Sequence, residues 1–156
     1  MTSKDDIASK KAASKTIVKS PEVYPPVGPY SQAILANNTT LYVSGVLGLD
    51  RDAQLVPGGV EAQTRQALCN LQHVLQAGGA TFESVIKTTI LLGDIQDSKS
   101  VNQIYEQYFQ KDCPARATFQ VGKLPMGALI EIEAIALSGP LVVAEAGPCP
   151  CHRDRN

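Results

Sequence analysis

Residues 114–137 read PARATFQVGKLPMGALIEIEAIAL and predict two β-strands joined by a loop that contains Gly and Pro. Side chains of a strand point alternately to the two faces of its sheet. In the first strand Ala117, Phe119 and Val121 therefore share one face, which we interpret as the core face. The opposite face carries polar side chains, namely Arg116, Thr118 and Gln120. This second face thus begins with a permanently charged guanidinium that has no evident partner.

The second strand of this stretch has a mixed face. Glu131 and Glu133 share it with apolar side chains, namely Leu129, Ile135 and Leu137. Burying unpaired charges is costly, whereas a fully solvated face does not need these apolar groups. A subunit interface accommodates both kinds of side chain, and we favour it. A wet sheet face in a monomer is the alternative. Two acids at i and i+2 on a strand are weak evidence for acid–base catalysis.

Upstream of this stretch, the pattern alternates between strands and helices. QAILA and TLYVSG predict two strands around an Asn37-Asn38 turn, and SVIKTTILLGD predicts another strand. A helical pattern runs from Val60 to a stop at Gly78-Gly79, and its apolar stripe is formed by Leu68, Leu71, Val74 and Leu75. A second helix carries an apolar stripe formed by Val101, Ile104, Tyr105, Tyr108 and Phe109. We predict an α+β fold, with both helices on one face of a mixed sheet.

Composition limits the classes of function. The 156 residues suffice for one domain, and the net charge of −1 lacks the basic surplus of duplex nucleic-acid binders. No apolar run approaches the ~20 residues that span a bilayer. We expect residues 1–14 to be a disordered leader, residues 15–141 the folded domain and residues 142–156 a flexible tail. The leader is no secretory signal, and cytosolic and mitochondrial locations both stay open.

The four cysteines are expected to be reduced thiols, because no secretory context is present. The tail sequence CPCH looks like a metal-binding fragment. However, Cys149 and Cys151 are only one residue apart, and no second ligand pair follows. We therefore expect no metal site.

Five motifs occur together and in a fixed order: GPYSQA (28–33), YVSG (42–45), VNQIYEQYF (101–109), PARATFQV (114–121) and IEIEAIAL (130–137). In combination they resemble the YjgF/RidA family, also called reactive intermediate deaminase A, and its animal members in particular. The resemblance covers about residues 15–141. It implies a chorismate-mutase-like α+β fold that forms a homotrimer with a central β-barrel and active sites in the clefts between subunits.

The resemblance also implies an activity: cofactor-free hydrolysis of 2-imino acids, such as 2-iminobutanoate and 2-iminopropanoate, to 2-oxo acids and ammonia. It implies that Arg116 anchors the substrate carboxylate, that Glu131 is associated with the catalytic water and that Tyr30 belongs to the catalytic set. Substrate-binding positions by the same resemblance are Ser44, Gly45, Asn102, Tyr105 and Thr118. One departure is Val46, which stands where many members have Gln after the SG dipeptide.

The chemistry fits these residue types. A planar guanidinium binds a carboxylate through two parallel hydrogen bonds, so the missing partner of Arg116 is the substrate on this interpretation. A Glu on a neighbouring strand can orient water and take its proton. A plain interface salt bridge between Arg116 and Glu131 or Glu133 is the structural alternative. Two other functions remain open: an endoribonuclease or translation inhibitor, and a chaperone-like binding protein without catalysis.

Overall fold

The structure, a computed structural model, describes residues 12–144. The CPCH tail and most of the leader lie outside the described residues. The elements, in chain order, are β1 (Lys15–Val18), β2 (Ala33–Ala36), β3 (Thr40–Leu47), α1 (Gly59–Ala77), β4 (Val85–Leu92), α2 (Ser98–Tyr108), β5 (Ala115–Gln120) and β6 (Ile130–Leu137). Over these residues, no helix combines the length and the apolar character that crossing a membrane requires.

The six strands form one mixed sheet in the order β1-β2-β3-β6-β4-β5. Every neighbouring pair is antiparallel except β4 and β5, which are parallel and connected through α2. A parallel pair needs such a crossover, because a tight turn can join only antiparallel strands. The predicted α+β class and mixed sheet are confirmed. Strand β1 was not predicted; it pairs with β2 at the edge of the sheet.

The two helices pack against each other and α1 packs against β3 and β6, so together they cover one face of the sheet. The apolar stripe predicted for α1, formed by Leu68, Leu71, Val74 and Leu75, is fully buried. It meets the helix-facing side chains of the central strands, namely Ile90, Leu92, Ile130 and Ile132, which are also fully buried. Helix α1 ends where Gly79 adopts a positive φ of 71°, a conformation that Gly adopts without steric cost.

The assignment of faces predicted for β5 is wrong. Arg116 pairs in register with Thr88 and Thr118 with Ile90, and both β4 residues are fully buried on the helix side. Arg116, Thr118 and Gln120 therefore face the helix layer. Phe119 pairs with Leu91 on the opposite face and is 54% exposed. The prediction failed because β5 is an edge strand whose side chains are exposed or half-buried on both faces, so burial no longer follows hydrophobicity.

The second face of the sheet is uncovered in the single chain, and we call it the open face. It carries one row that runs across three strands, Glu131 on β6, Leu91 on β4 and Phe119 on β5. Tyr42 is 51% exposed on the same face. Large apolar groups and carboxylates thus share the open face, as the sequence predicted for β6.

Candidate active site

The first cluster of site residues surrounds Arg116 at the edge of the sheet. An open cleft of about 310 Å³ lies between the end of α2 and the start of β5. It is lined by Asn102, Tyr105, Glu106, Phe109, Cys113, Pro114 and Arg116. We call it the arginine cleft. Three predicted site residues, Asn102, Tyr105 and Arg116, therefore share one cleft. Thr118 lies on the same side of β5 but does not line it.

Arg116 is held by an aromatic ring rather than by an acid. Its guanidinium carbon lies 4.8 Å from the centroid of the Tyr105 ring, a cation–π contact. The Tyr105 hydroxyl shares a 2.8 Å hydrogen bond with the Thr88 hydroxyl, and its ring stacks on Phe109 at 4.3 Å. Burial raises the pKa of Tyr105, more than the Thr88 hydrogen bond and the Arg116 charge lower it. The phenol therefore stays neutral beneath the guanidinium.

Arg116 is exposed and forms no ion pair within residues 12–144. The ion pairs among the described residues are Arg51–Glu22 and Lys111–Asp112, and neither includes Arg116. A planar cation supported from below and open above is suited to bind a carboxylate through two parallel hydrogen bonds.

The second cluster lies at a β-bulge on the other side of the sheet centre. The register between β3 and β6 shifts between Val43 and Val46, which places Ser44 and Gly45 in the bulge. The Ser44 hydroxyl donates a 2.6 Å hydrogen bond to the Ser31 carbonyl. The carboxylate of Glu131 lies directly over Gly45, where a Cβ atom would clash with it. A side chain at position 45 would thus find no space beside Glu131. The backbone conformation itself does not require Gly, because φ is not positive there.

Glu131 lies in a partly buried setting at this bulge. Burial, followed by the negative charge of Glu133, raises the pKa of Glu131 above its ordinary value. Carboxylates with a raised pKa are suited to general acid–base chemistry, because they exchange protons closer to neutral pH.

Two tyrosines complete this cluster, and sequence reasoning found only one of them. Tyr30 is 41% exposed, and its hydroxyl accepts a 3.3 Å hydrogen bond from the Val27 amide. Tyr24 was missed; it is buried, and its hydroxyl accepts a 3.0 Å hydrogen bond from the Leu47 amide. Burial raises the pKa of Tyr24 to about 12, and the nearby Tyr30 and Glu131 act in the same direction. Tyr24 sits in a Pro-rich loop whose sequence carries no periodic signal.

The two clusters do not meet within one chain. Arg116 faces the helices and Glu131 faces the open side, with β4 between their strands. The Cα atoms of Arg116 and Glu131 are two strand spacings apart across the sheet and three residues apart along the strands. Their separation is therefore roughly 14 Å. The expectation that Glu131 lies on a strand neighbouring that of Arg116 is therefore wrong. A salt bridge from Arg116 to Glu131 or Glu133 is likewise not formed within the chain.

Among the described residues, Cys69 and Cys113 are free thiols, and no group of three or more His, Cys, Asp or Glu side chains is arranged to hold a metal ion. The cysteines of the CPCH tail lie outside residues 12–144. Cys113 lines the arginine cleft, where its thiol donates a 3.5 Å hydrogen bond to the Phe109 carbonyl.

Together these features define an α+β protein with an exposed arginine on one sheet face, without an acidic partner in residues 12–144, and a partly buried glutamate with a raised pKa on the other. The endoribonuclease L-PSP family model matches residues 21–138. The 2-iminobutanoate/2-iminopropanoate deaminases of Bos taurus and Homo sapiens are 53% and 52% identical over 119 residues, which cover 76% of this chain and 86% of each relative.

The chain is also similar to the crystal structure of E. coli TdcF with bound serine. That likeness has a TM-score of 0.74 at 29% identity and covers 80% of this chain and 99% of the other. The chain therefore belongs to the endoribonuclease L-PSP family, which includes the RidA deaminases, and it is close to the animal members. The resemblance drawn from the five motifs is confirmed.

Proposed function

We propose that this protein hydrolyses 2-imino acids, such as 2-iminobutanoate and 2-iminopropanoate, to the 2-oxo acid and ammonia. Relatives named for this activity are more than half identical to the chain over most of its length, which supports the proposal. The observation that carries it is the exposed guanidinium of Arg116, held on Tyr105 and without an acidic partner in residues 12–144.

Arg116 supplies the anchor for the substrate. The carboxylate of a 2-imino acid is adjacent to the C=N carbon, so fixing the carboxylate also fixes the reacting carbon. The relative TdcF was crystallised with serine, an amino acid whose α-carboxylate has the same position relative to its nitrogen. Asn102 lines the same cleft and provides a further hydrogen-bonding group.

The reaction needs a base and an acid but no redox step. Water attacks C2 while Glu131 takes one of its protons, and the C=N electron pair moves to nitrogen, which accepts a proton. The resulting carbinolamine loses its hydroxyl proton, a further proton is transferred to nitrogen, and the C–N bond breaks. The products are the 2-oxo acid and ammonia, so one water is consumed and no cofactor takes part. General acid–base assistance of this kind typically contributes ~10²–10⁴-fold.

The site must be assembled from two subunits, because Arg116 and Glu131 cannot reach one small substrate within a chain. A cyclic assembly brings different surfaces of neighbouring copies together. We propose a homotrimer in which the open face, with Tyr42 and Phe119, is covered by other copies. Sedimentation equilibrium should give three times the chain mass of 16.6 kDa. A monomer at micromolar concentration contradicts this assembly.

The function is tested by ammonia release from 2-iminobutanoate that is generated in the assay by an amino-acid oxidase. The protein should raise the rate of ammonia formation above the uncatalysed rate, in proportion to its concentration. An unchanged rate with correctly assembled protein contradicts the proposal. The same preparation should be assayed for cleavage of single-stranded RNA, because the family description names an endoribonuclease. RNA cleavage without ammonia release would favour that function instead.

A further inference from the structure

The arginine cleft contains a second charged side chain besides Arg116. Glu106 lines it from helix α2, together with Asn102 and Tyr105. Residues three and four positions apart share one side of a helix, which explains why these three side chains reach the same cleft. The cleft thus combines a guanidinium with a carboxylate, and both side chains are exposed.

Glu106 and Arg116 do not form an ion pair with each other. Neither of the ion pairs found within residues 12–144 includes Glu106. Because the two opposite charges lie in one cleft without neutralising each other, both are available to a molecule bound there.

Other charges close to the cleft contribute little. Lys111 and Asp112 directly precede Cys113, a lining residue, and they pair with each other at 3.9 Å, so their charges largely cancel. Lys99 is the other charged residue of α2, and it lies about 10 Å from Glu106 along the helix axis. Physiological salt screens exposed charges over ~8 Å. Glu106 therefore dominates the negative potential beside Arg116.

The cleft has room for a substrate side chain. Its volume of about 310 Å³ is at the lower end of the ~300–1,000 Å³ typical of small-molecule sites. The side chain of 2-iminobutanoate is only an ethyl group, so the cleft can also accept longer ones. In a substrate anchored at Arg116, a longer side chain extends from C2 into the range of the Glu106 charge.

We propose that Glu106 is a specificity-determining residue, which selects 2-imino acids by the charge of their side chain. This proposal rests on the proposed deaminase function. The carboxylate attracts a side chain that ends in a cation and repels one that ends in an anion, whereas an apolar side chain experiences neither effect. Specificity is such a difference between affinities, and exposed charge pairs contribute modestly to it.

The first test measures kcat/KM for the 2-imino acids that amino-acid oxidases generate from arginine, norleucine and glutamate. Their side chains are positive, neutral and negative, and we expect kcat/KM to fall in that order. Glu106→Gln keeps the shape of the side chain and removes its charge. It should lower the ratio of kcat/KM between the arginine and glutamate products roughly three- to tenfold. This ratio cancels any change in activity that all substrates share.

Two further variants provide the controls. Glu83→Gln also removes an exposed carboxylate, but Glu83 lines a different cleft against α1, so the wild-type ratio should persist. Glu106→Lys reverses the charge and should favour the glutamate product over the arginine product.

The salt dependence of the ratio separates a charge effect from a structural one. Raising the ionic strength should lower the wild-type ratio, because salt screens the interaction between Glu106 and the side chain of the substrate. The ratio measured for Glu106→Gln should not respond. A residue that only supports helix α2 would give the same salt response in both proteins.

A wild-type ratio in Glu106→Gln, or an equal loss in Glu83→Gln, overturns the proposal while the deaminase function stands. An equal gain in kcat/KM for all three substrates in Glu106→Gln also overturns it, because Glu106 would then compete with every substrate for Arg116. Absence of ammonia release from 2-iminobutanoate by the wild type overturns both the deaminase function and the proposal.

Discussion

Arg116 and Glu131 lie on opposite faces of the same sheet, with strand β4 between them. One faces the helix layer and rests on Tyr105, whereas the other lies over Gly45 on the open face. A substrate of a few atoms cannot touch both within one chain. The proposed chemistry therefore depends on assembly, and a correctly folded but monomeric variant should be inactive.

Replacing the anchor should abolish most of the activity. Charge-assisted hydrogen bonds are worth ~1.5–3 kcal/mol each, so Arg116→Ala should lower kcat/KM by about two to four orders of magnitude. Arg116→Lys should also lose most activity, because an ammonium cannot form the planar two-point contact. Steady-state kinetics and sedimentation of the same samples provide the check.

The structural alternative for Arg116 makes the opposite forecast. If Arg116 formed a structural salt bridge, Arg116→Ala would weaken assembly or lower the thermal stability of the protein. Arg116→Lys would partly restore both, because it keeps the positive charge. An intact Arg116→Ala trimer with the wild-type rate would show that Arg116 is not the anchor.

The hydrogen bond that holds the Tyr105 ring against Arg116 can be removed without changing Arg116 itself. Thr88→Val leaves the buried Tyr105 hydroxyl without its hydrogen bond, at a cost of about 1–3 kcal/mol of stability. We expect a several-fold rise in KM with a smaller change in kcat, because the anchor is loosened. Thr88→Ser keeps the hydroxyl and should keep KM. An unchanged KM in Thr88→Val would indicate that Tyr105 does not position Arg116.

Gly45 should be essential for activity but not for folding. A Cβ at this position would meet the end of the Glu131 side chain, which is flexible enough to move aside. Gly45→Ala should therefore lower kcat strongly and leave the thermal unfolding midpoint nearly unchanged. Gly122→Ala is the matched control, since a Cβ there meets nothing within 4 Å. Equal kcat values for the two variants would contradict the placement of Glu131.

Glu131 should carry a cost in stability. Its pKa is raised by burial and by Glu133, so the folded state favours the protonated form. The stability associated with protonated Glu131 is therefore present in full below its unfolded-state pKa of 4.5. It is lost as the pH rises through the higher pKa of the folded state. Glu131→Gln, which cannot ionise, should unfold at a higher temperature than the wild type at neutral pH.

The thermal advantage of Glu131→Gln should shrink as the pH approaches 4.5, and the variant should be nearly inactive throughout. Unfolding curves recorded across the pH range test both statements. A variant less stable than the wild type at neutral pH would show that the carboxylate is stabilised in the folded protein.

Much of the fold follows from sequence because local patterns and burial agree in its centre. The stripe of α1 and the alternation of β6 predicted their buried faces, as Leu71 and Ile132 show. Phe119 was assigned to the wrong face because an edge strand gives no pattern of burial. The sequence could not place Tyr24 in the second cluster, because its hydroxyl contacts the Leu47 amide, 23 residues away in sequence.

The most direct test mixes two inactive subunits. Arg116→Ala and Glu131→Gln proteins, carrying different tags, are unfolded together in equal amounts, refolded, and assayed for ammonia release. If each site takes Arg116 from one subunit and Glu131 from its neighbour, random trimers should regain about one quarter of the wild-type activity, because one site in four combines two intact residues. Mixed trimers that contain both tags and still release no ammonia above the uncatalysed rate would contradict the account.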